Sequence, residues 1–153
     1  MKLIGIVLIN LASIITGVNM ALKLKNKCVI CSELIEMCNL MSIEIGYFSN
    51  DTKTLVDNLS KEPSLAHLKF LNDYNPEKIC ISTELSEAED EKLNALFRML
   101  GTTDSSSMLD MVDSFRHYME ESKNKYKSYF SSHGRLYIAF GIFGGIAVSI
   151  VLV

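Results

Sequence analysis

Four cysteines, Cys28, Cys31, Cys38 and Cys80, are the residues of this 153-residue chain whose type and spacing come nearest to a chemical site. Cys28-x-x-Cys31 has the spacing of a metal-ligand or redox pair, since residues three apart share one helical face. Strong zinc signals add a second pair, whereas Cys38 and Cys80 stand singly, so packing of reduced thiols is the stronger reading. A metal or redox regulator using Cys28 and Cys31 is the alternative. The acidic group Glu84, Glu87, Glu89, Asp90 and Glu91 has the composition of a cation site or an acid/base pair. It falls at a predicted helix N-terminus, where the helix dipole and water stabilise carboxylates without any further role. His67, His117 and His133 have no serine or cysteine at a spacing that suggests nucleophilic catalysis. The chain contains no G-x-x-x-x-G-K-[ST] or other phosphate loop, which excludes a P-loop ATPase. No enzymatic activity, cofactor or small-molecule substrate is expected, and a protein that works by contact is what remains.

The elements that position these residues are helical. Gly 8 and Pro 2 leave few breakers, and no turn-rich β pattern is present. From Ser105 onward, Met108, Val112, Phe115, Met119, Ser122, Tyr126, Tyr129, His133, Leu136 and Phe140 alternate steps of four and three, the seam of one long packed helix. At about 1.5 Å per residue that helix is roughly 70 Å long, and it needs a second element of similar length to cover it. The other end of the chain supplies one: Ile30, Leu34, Met37, Met41 and Ile45 form a stripe continuing from the uncharged run Leu3–Leu22. Between the two, the apolar positions Leu55, Val56 and Leu59 mark a short helix. Glu62-Pro63 opens another with Leu65, Leu68, Leu71 and Tyr74 inward, and Asn75-Pro76 repeats the punctuation. Ser86 with Glu89 is a capping box ahead of Leu93, Leu96, Phe97 and Leu100, and Gly101 closes that helix. The expected fold is all-α, an antiparallel bundle of about six helices, two of them long.

Hydrophobic content of 48% and a mean hydropathy of +0.20 are high for a soluble domain. Two segments, 1–22 with its uncharged run Leu3–Leu22 and the uncharged 136–153, supply the excess, and each is long enough to span a bilayer, which takes roughly 17–25 residues. Lys23, Lys25 and Lys27 follow the first, and Lys123, Lys125, Lys127 and Arg135 precede the second. Basic residues flanking spans stay in the cytoplasm, so residues 23–135 form a cytoplasmic body with both termini outside. The apolar run of the first segment exceeds the ~7–15 residues of a signal peptide and lacks a small-residue cleavage site. Ser13, Gly17 and Ala21, and likewise Gly141, Gly145 and Ser149, recur every four residues, either as scattered small residues or as a packing stripe that also satisfies Asn10 and Asn19. Net-negative charge, with basic residues clustered only at the span edges, gives no sign of nucleic-acid binding. A soluble domain whose apolar ends pair with each other is a further reading, and Ser131-Ser132-His133-Gly134 either bends the long helix or does not.

Two stretches carry a family resemblance. Glu33-Leu34-Ile35-Glu36-Met37, followed by Met41-Ser42-Ile43-Glu44-Ile45-Gly46-Tyr47, resembles the L-x-x-L-x-x-E-I-x-Y pattern near the start of the stage III sporulation protein AB family. Leu96-Phe97-Arg98-Met99-Leu100-Gly101-Thr102-Thr103-Asp104 resembles that family's L-G-x-x-D segment, which also precedes a long helix, a basic stretch and a terminal span. Asp51-Thr52 replaces the family's usual proline-leucine helix start, and Ser105-Ser106-Ser107-Met108 replaces its glutamines. The resemblance implies a soluble body similar to the F domain of type II secretion systems. It also implies a place in the channel, or feeding apparatus, joining mother cell and forespore during endospore formation. The implied location is the mother-cell membrane facing the forespore. The implied role is a non-enzymatic adaptor between the sporulation ATPase, stage III sporulation protein AA, and the other stage III channel membrane proteins. Glu44, Tyr47, Gly101 and Asp104 are the matched motif positions and the implied partner-binding residues. Each also has a purely structural reading: Gly101 as a helix stop, Asp104 as a cap, Tyr47 as core, Glu44 as a half-exposed charge at a helix end.

Overall fold

A computed structural model of the chain describes the backbone of residues 2–48, 51–76 and 78–152, and the side chains of 11–47, 51–76, 78–132, 139 and 143. All regular structure among the described residues is helical. Helix α1 runs Lys2–Ile43 and ends in one π-helical turn, Glu44–Phe48; α2 is Thr52–Ser60, α3 is Glu87–Met99 and α4 is Ser105–Leu152. The chain divides into two compact units, one formed by residues 1–28 and 124–153 and the other by Val29–Lys123.

The central unit, Val29–Lys123, is a bundle built on the predicted stripes. Leu34, Met37 and Met41 of α1 are fully buried and Ile30 nearly so, with Ile45 packed against the same core. Met108, Val112, Phe115, Met119 and Ser122 are the buried face of α4, as the four-three alternation requires. Leu55, Val56 and Leu59 of α2 and Leu93, Leu96 and Phe97 of α3 complete the core. Each such side chain contributes about 1.5–3 kcal/mol by leaving water. The ion pairs Lys61 with Asp57 and Arg116 with Asp113 lie on the surface, where such pairs are worth about 0–1 kcal/mol. Apolar burial therefore holds this unit together.

The described residues form four α-helices rather than the six expected. The stretch opened by Pro63 is two single 3₁₀ turns, Pro63–Leu65 and Lys69–Leu71, and the described residues 78–86 after Pro76 are not helical. The inward residues are nevertheless those expected, Leu65, Leu68 and Leu71, with Tyr74 half-buried. Their uniform spacing of three gives the physical reason: three residues per turn is the 3₁₀ repeat, whereas an α-helix carries such a series around its circumference. Phe70 and Tyr74 both pack on Phe97 with ring centroids 5.5 Å apart, tying this segment to α3.

The segment after Pro76, which carries no sequence signal, is held by two side chains of α3. The Asn94 amide accepts from Ile81 N–H at 2.7 Å and donates to Ile81 C=O at 2.7 Å, pairing with the backbone as a neighbouring strand would. Asp90 accepts from Thr83 N–H at 3.0 Å and from its hydroxyl at 2.5 Å. The capping box forms as expected: Ser86 N–H and its hydroxyl donate to one oxygen of the buried Glu89, at 2.8 and 2.9 Å.

In the unit of residues 1–28 and 124–153, Gly17 and Ala21 of the small-residue stripe are buried, and Lys27 Nζ lies 5.1 Å from the centre of the Tyr126 ring. Tyr129, expected on the buried seam, is half exposed, so among the described residues the seam of α4 is buried as far as Ser122 and half-buried at Tyr126. Among the described residues no helix is long and apolar enough to cross a membrane. The side chains of residues 1–10 and nearly all of 136–153, on which the expected spans rest, lie outside that description, as do His133, Leu136, Phe140 and the stripe Gly141, Gly145 and Ser149.

Replacing Asn94 by Ala leaves the buried Ile81 amide and carbonyl unpaired, at roughly 1–3 kcal/mol for each group. Urea unfolding of Asn94→Ala is expected to show that loss, and hydrogen exchange at the Ile81 amide to accelerate while the α1 amides stay protected.

Candidate partner-binding face

The four motif residues gather at one end of the central unit, and α2 is what joins them. Glu44 opens the π-helical turn and accepts a hydrogen bond from Asn58 Nδ2 of α2 at 3.2 Å. Gly101, at φ +79°, turns the chain from α3 into α4. A Cβ there would fall 2.5 Å from Thr52 Oγ1 in the first turn of α2. Both the left-handed backbone and the close approach demand glycine. Tyr47 and Asp104 stand three residues from Glu44 and Gly101 respectively.

Their roles separate cleanly. Asp104 Oδ2 accepts from the Ser107 amide at 3.1 Å and from the Ser106 hydroxyl at 2.5 Å, the geometry of an N-cap on α4. The Ser106 hydroxyl first, then the Ser107 amide, hold its carboxyl far below the usual carboxylate range. Its charge is fixed at any physiological pH and faces solvent. Glu44 is half-buried and committed to α2. Tyr47, for which a core position was one reading, is instead 84% exposed.

Two residues that carried no motif signal join Tyr47. Ile43 is 49% and Met99 40% exposed, and with Tyr47 they are the large apolar side chains left exposed among the described residues of the central unit. All three lie at the end where α1 stops and α4 starts. Periodicity alone could have flagged Ile43, which breaks the buried stripe of α1, but not that Met99 shares its end of the bundle. A separate apolar groove of about 300 Å³ runs between α3 and α4 over Leu96, Met111 and Phe115, with Lys92 Nζ 4.5 Å from the Tyr118 ring centre at its edge.

The cysteines are dispersed in accessibility. Cys31 and Cys38 are fully buried, Cys28 half-buried and Cys80 exposed. Burial pushes the Cys38 thiol up to about 12, against a smaller opposing pull from Arg116. Among the described residues no group of three or more His, Cys, Asp or Glu is placed to hold a metal ion. The acidic cluster is divided, with Glu89 in the capping box and Asp90 on Thr83. His67 is bound to Glu33, which accepts its backbone N–H at 2.9 Å and also meets its Nδ1. Glu33 is only 11% exposed, so this pair fastens the 3₁₀ segment to α1.

Fold and face together define an all-α helical-bundle protein built on two long helices, with an exposed apolar and acidic end. The chain belongs to the stage III sporulation protein AB family, whose description matches residues 2–78 and 75–153 and so the whole length. No curated protein and no solved structure matches it. Membership gives the chain a sporulation-related role.

Two outcomes follow for this site. Asp104 has a folded-state pKa below its unfolded value, so its contribution is complete above the ordinary aspartate range and is lost as pH falls toward the depressed value. Asp104→Asn, which keeps a capping oxygen, is expected to leave the pH 7 denaturation midpoint nearly unchanged and to flatten its decline in acid. In thiol labelling of the folded chain with a maleimide, Cys80 is expected to react first and Cys31 and Cys38 only on unfolding. Rapid labelling of Cys38 would contradict its burial.

Proposed function

We propose that this chain is a non-enzymatic, membrane-anchored adaptor of the channel joining mother cell and forespore. In this reading segments 1–22 and 136–153 span the mother-cell membrane that faces the forespore, the bundle stands in the cytoplasm and both termini lie outside. The bundle couples the stage III sporulation ATPase, protein AA, to the other stage III channel membrane proteins. Family membership and the two uncharged terminal runs support the anchoring.

The observation that carries the adaptor role is the position of Ile43, Tyr47 and Met99. A small bundle that buries or half-buries its other described large apolar side chains yet leaves three exposed at one end has a surface suited to protein contact. Asp51 and Asp104, both exposed there, add negative charge around that apolar centre. Aromatic anchors with charged surroundings are the usual arrangement of a binding hot spot. Because Tyr47 is 84% exposed, its truncation is expected to leave the fold intact.

The test is capture of the purified ATPase by the full chain in detergent, comparing wild type with Tyr47→Ala, Glu44→Arg and Asp104→Arg. Tyr47→Ala is expected to weaken capture by roughly tenfold or more, as hot-spot truncations do, at an unchanged melting temperature. Undiminished capture by a folded Tyr47→Ala, Asp104→Arg double variant would move the contact elsewhere. No capture by folded wild type would remove the ATPase from the proposal.

A further inference from the structure

The boundary between the two compact units is also a boundary in charge. Residues 1–28 and 124–153 contain seven of the chain's fifteen basic residues and none of its eighteen acidic ones. That unit therefore carries +7 and Val29–Lys123 carries −10, which together give the chain's −3. Charge-neutralising carboxylates are missing from the unit whose lysines are most crowded.

The lysines are also at one level. Lys27 Nζ, 5.1 Å from the Tyr126 ring centre, sets α1 and α4 in register within this unit. Lys23 and Lys25 lie within four residues of Lys27, and Lys125 and Lys127 are next to Tyr126. At 1.5 Å per residue all of them fall within about 6 Å of that contact along the helix axes. Lys23, Lys25, Lys125 and Lys127 are exposed. Tyr129 and Phe130, 50% and 38% exposed, lie at the same level. Beyond them α1 and α4 continue into the uncharged runs 3–22 and 136–152.

We infer that this girdle is a binding site for anionic phospholipid headgroups. Exposed ammonium groups on a unit that itself contains no carboxylate side chain attract lipid phosphates, and exposed aromatic rings beside uncharged helix occupy the headgroup layer. Lys27, stacked on Tyr126, stiffens the centre of the ring while its four exposed neighbours meet lipid. The site rests on the membrane reading proposed above. It makes anionic lipid a specific ligand of this protein, beyond the part basic residues play in setting topology.

The test reconstitutes the tagged full chain into vesicles of phosphatidylcholine with about 30% phosphatidylglycerol, excises discs with copolymer and measures the lipid held around the protein. Wild type is expected to enrich phosphatidylglycerol about twofold or more over the bulk, with the excess lost at 0.5 M NaCl and in Lys23→Gln, Lys25→Gln, Lys125→Gln, Lys127→Gln combined. A bulk ratio around wild type, or enrichment that survives all four substitutions, overturns the inference. Salt-sensitive self-association in place of enrichment would assign the girdle to the acidic unit of a second copy and overturn it too. Carbonate washing separates the underlying reading. If the chain leaves the vesicles, the spans are refuted, and flotation decides the lipid site: binding to anionic vesicles alone retains it, and equal behaviour with both lipids ends it.

Discussion

The central unit depends on one stripe of α1 being dry. Leu34, Met37 and Met41 lie at steps of three and four, fully buried, and face the core to which α2, α3 and the first half of α4 all contribute. No short helix here could stand alone, since isolated helices of this length are marginal in water. Two of the three residues are methionines, whose unbranched thioethers fill irregular gaps left by elements of unequal length. Cys38 shares that buried face, and burial there raises its thiol pKa and favours the protonated form.

Apolar burial determines what is inside but not how the irregular segments run, and that is done by side chains imitating backbone. Asn94 pairs with Ile81 through both its amide atoms, Asp90 holds Thr83, and Glu33 holds the His67 amide. In each case a helix offers a side chain to a segment that has no regular partner for its own peptide groups. The alternative, peptide groups buried without partners, would cost more than these short segments recover from the few apolar residues they bury.

Charge divides along the two compact units of the chain. The acidic unit carries the exposed end formed by Ile43, Tyr47 and Met99, while the basic unit gathers its lysines around Tyr126. Like charge within each unit is tolerated because most of the described charged groups face solvent, where screening is strong. Asp104 belongs to both stories, since the charge it shows to solvent is held in place by the cap it forms.

Much of this was legible in the chain itself. The four-three alternation of Met108 to Ser122, the Ile30 to Met41 stripe, the Ser86 box and the Gly101 stop all report local periodicity or capping chemistry, which neighbouring residues determine without help from the rest of the fold. The family motif was visible for the same reason, as short runs of adjacent residues. Tertiary structure alone decided the remainder. The Pro63 segment is tied to α3 by Phe70 and Tyr74 on Phe97, contacts that no local spacing announces. Asn94 could not be read as the partner of Ile81, thirteen residues away, because an asparagine amide is equally at home on a solvated helix face. Tyr47 and Met99 share one end of the bundle only because Thr52 of α2 meets Gly101, a contact between parts of the chain too far apart for any periodicity to connect.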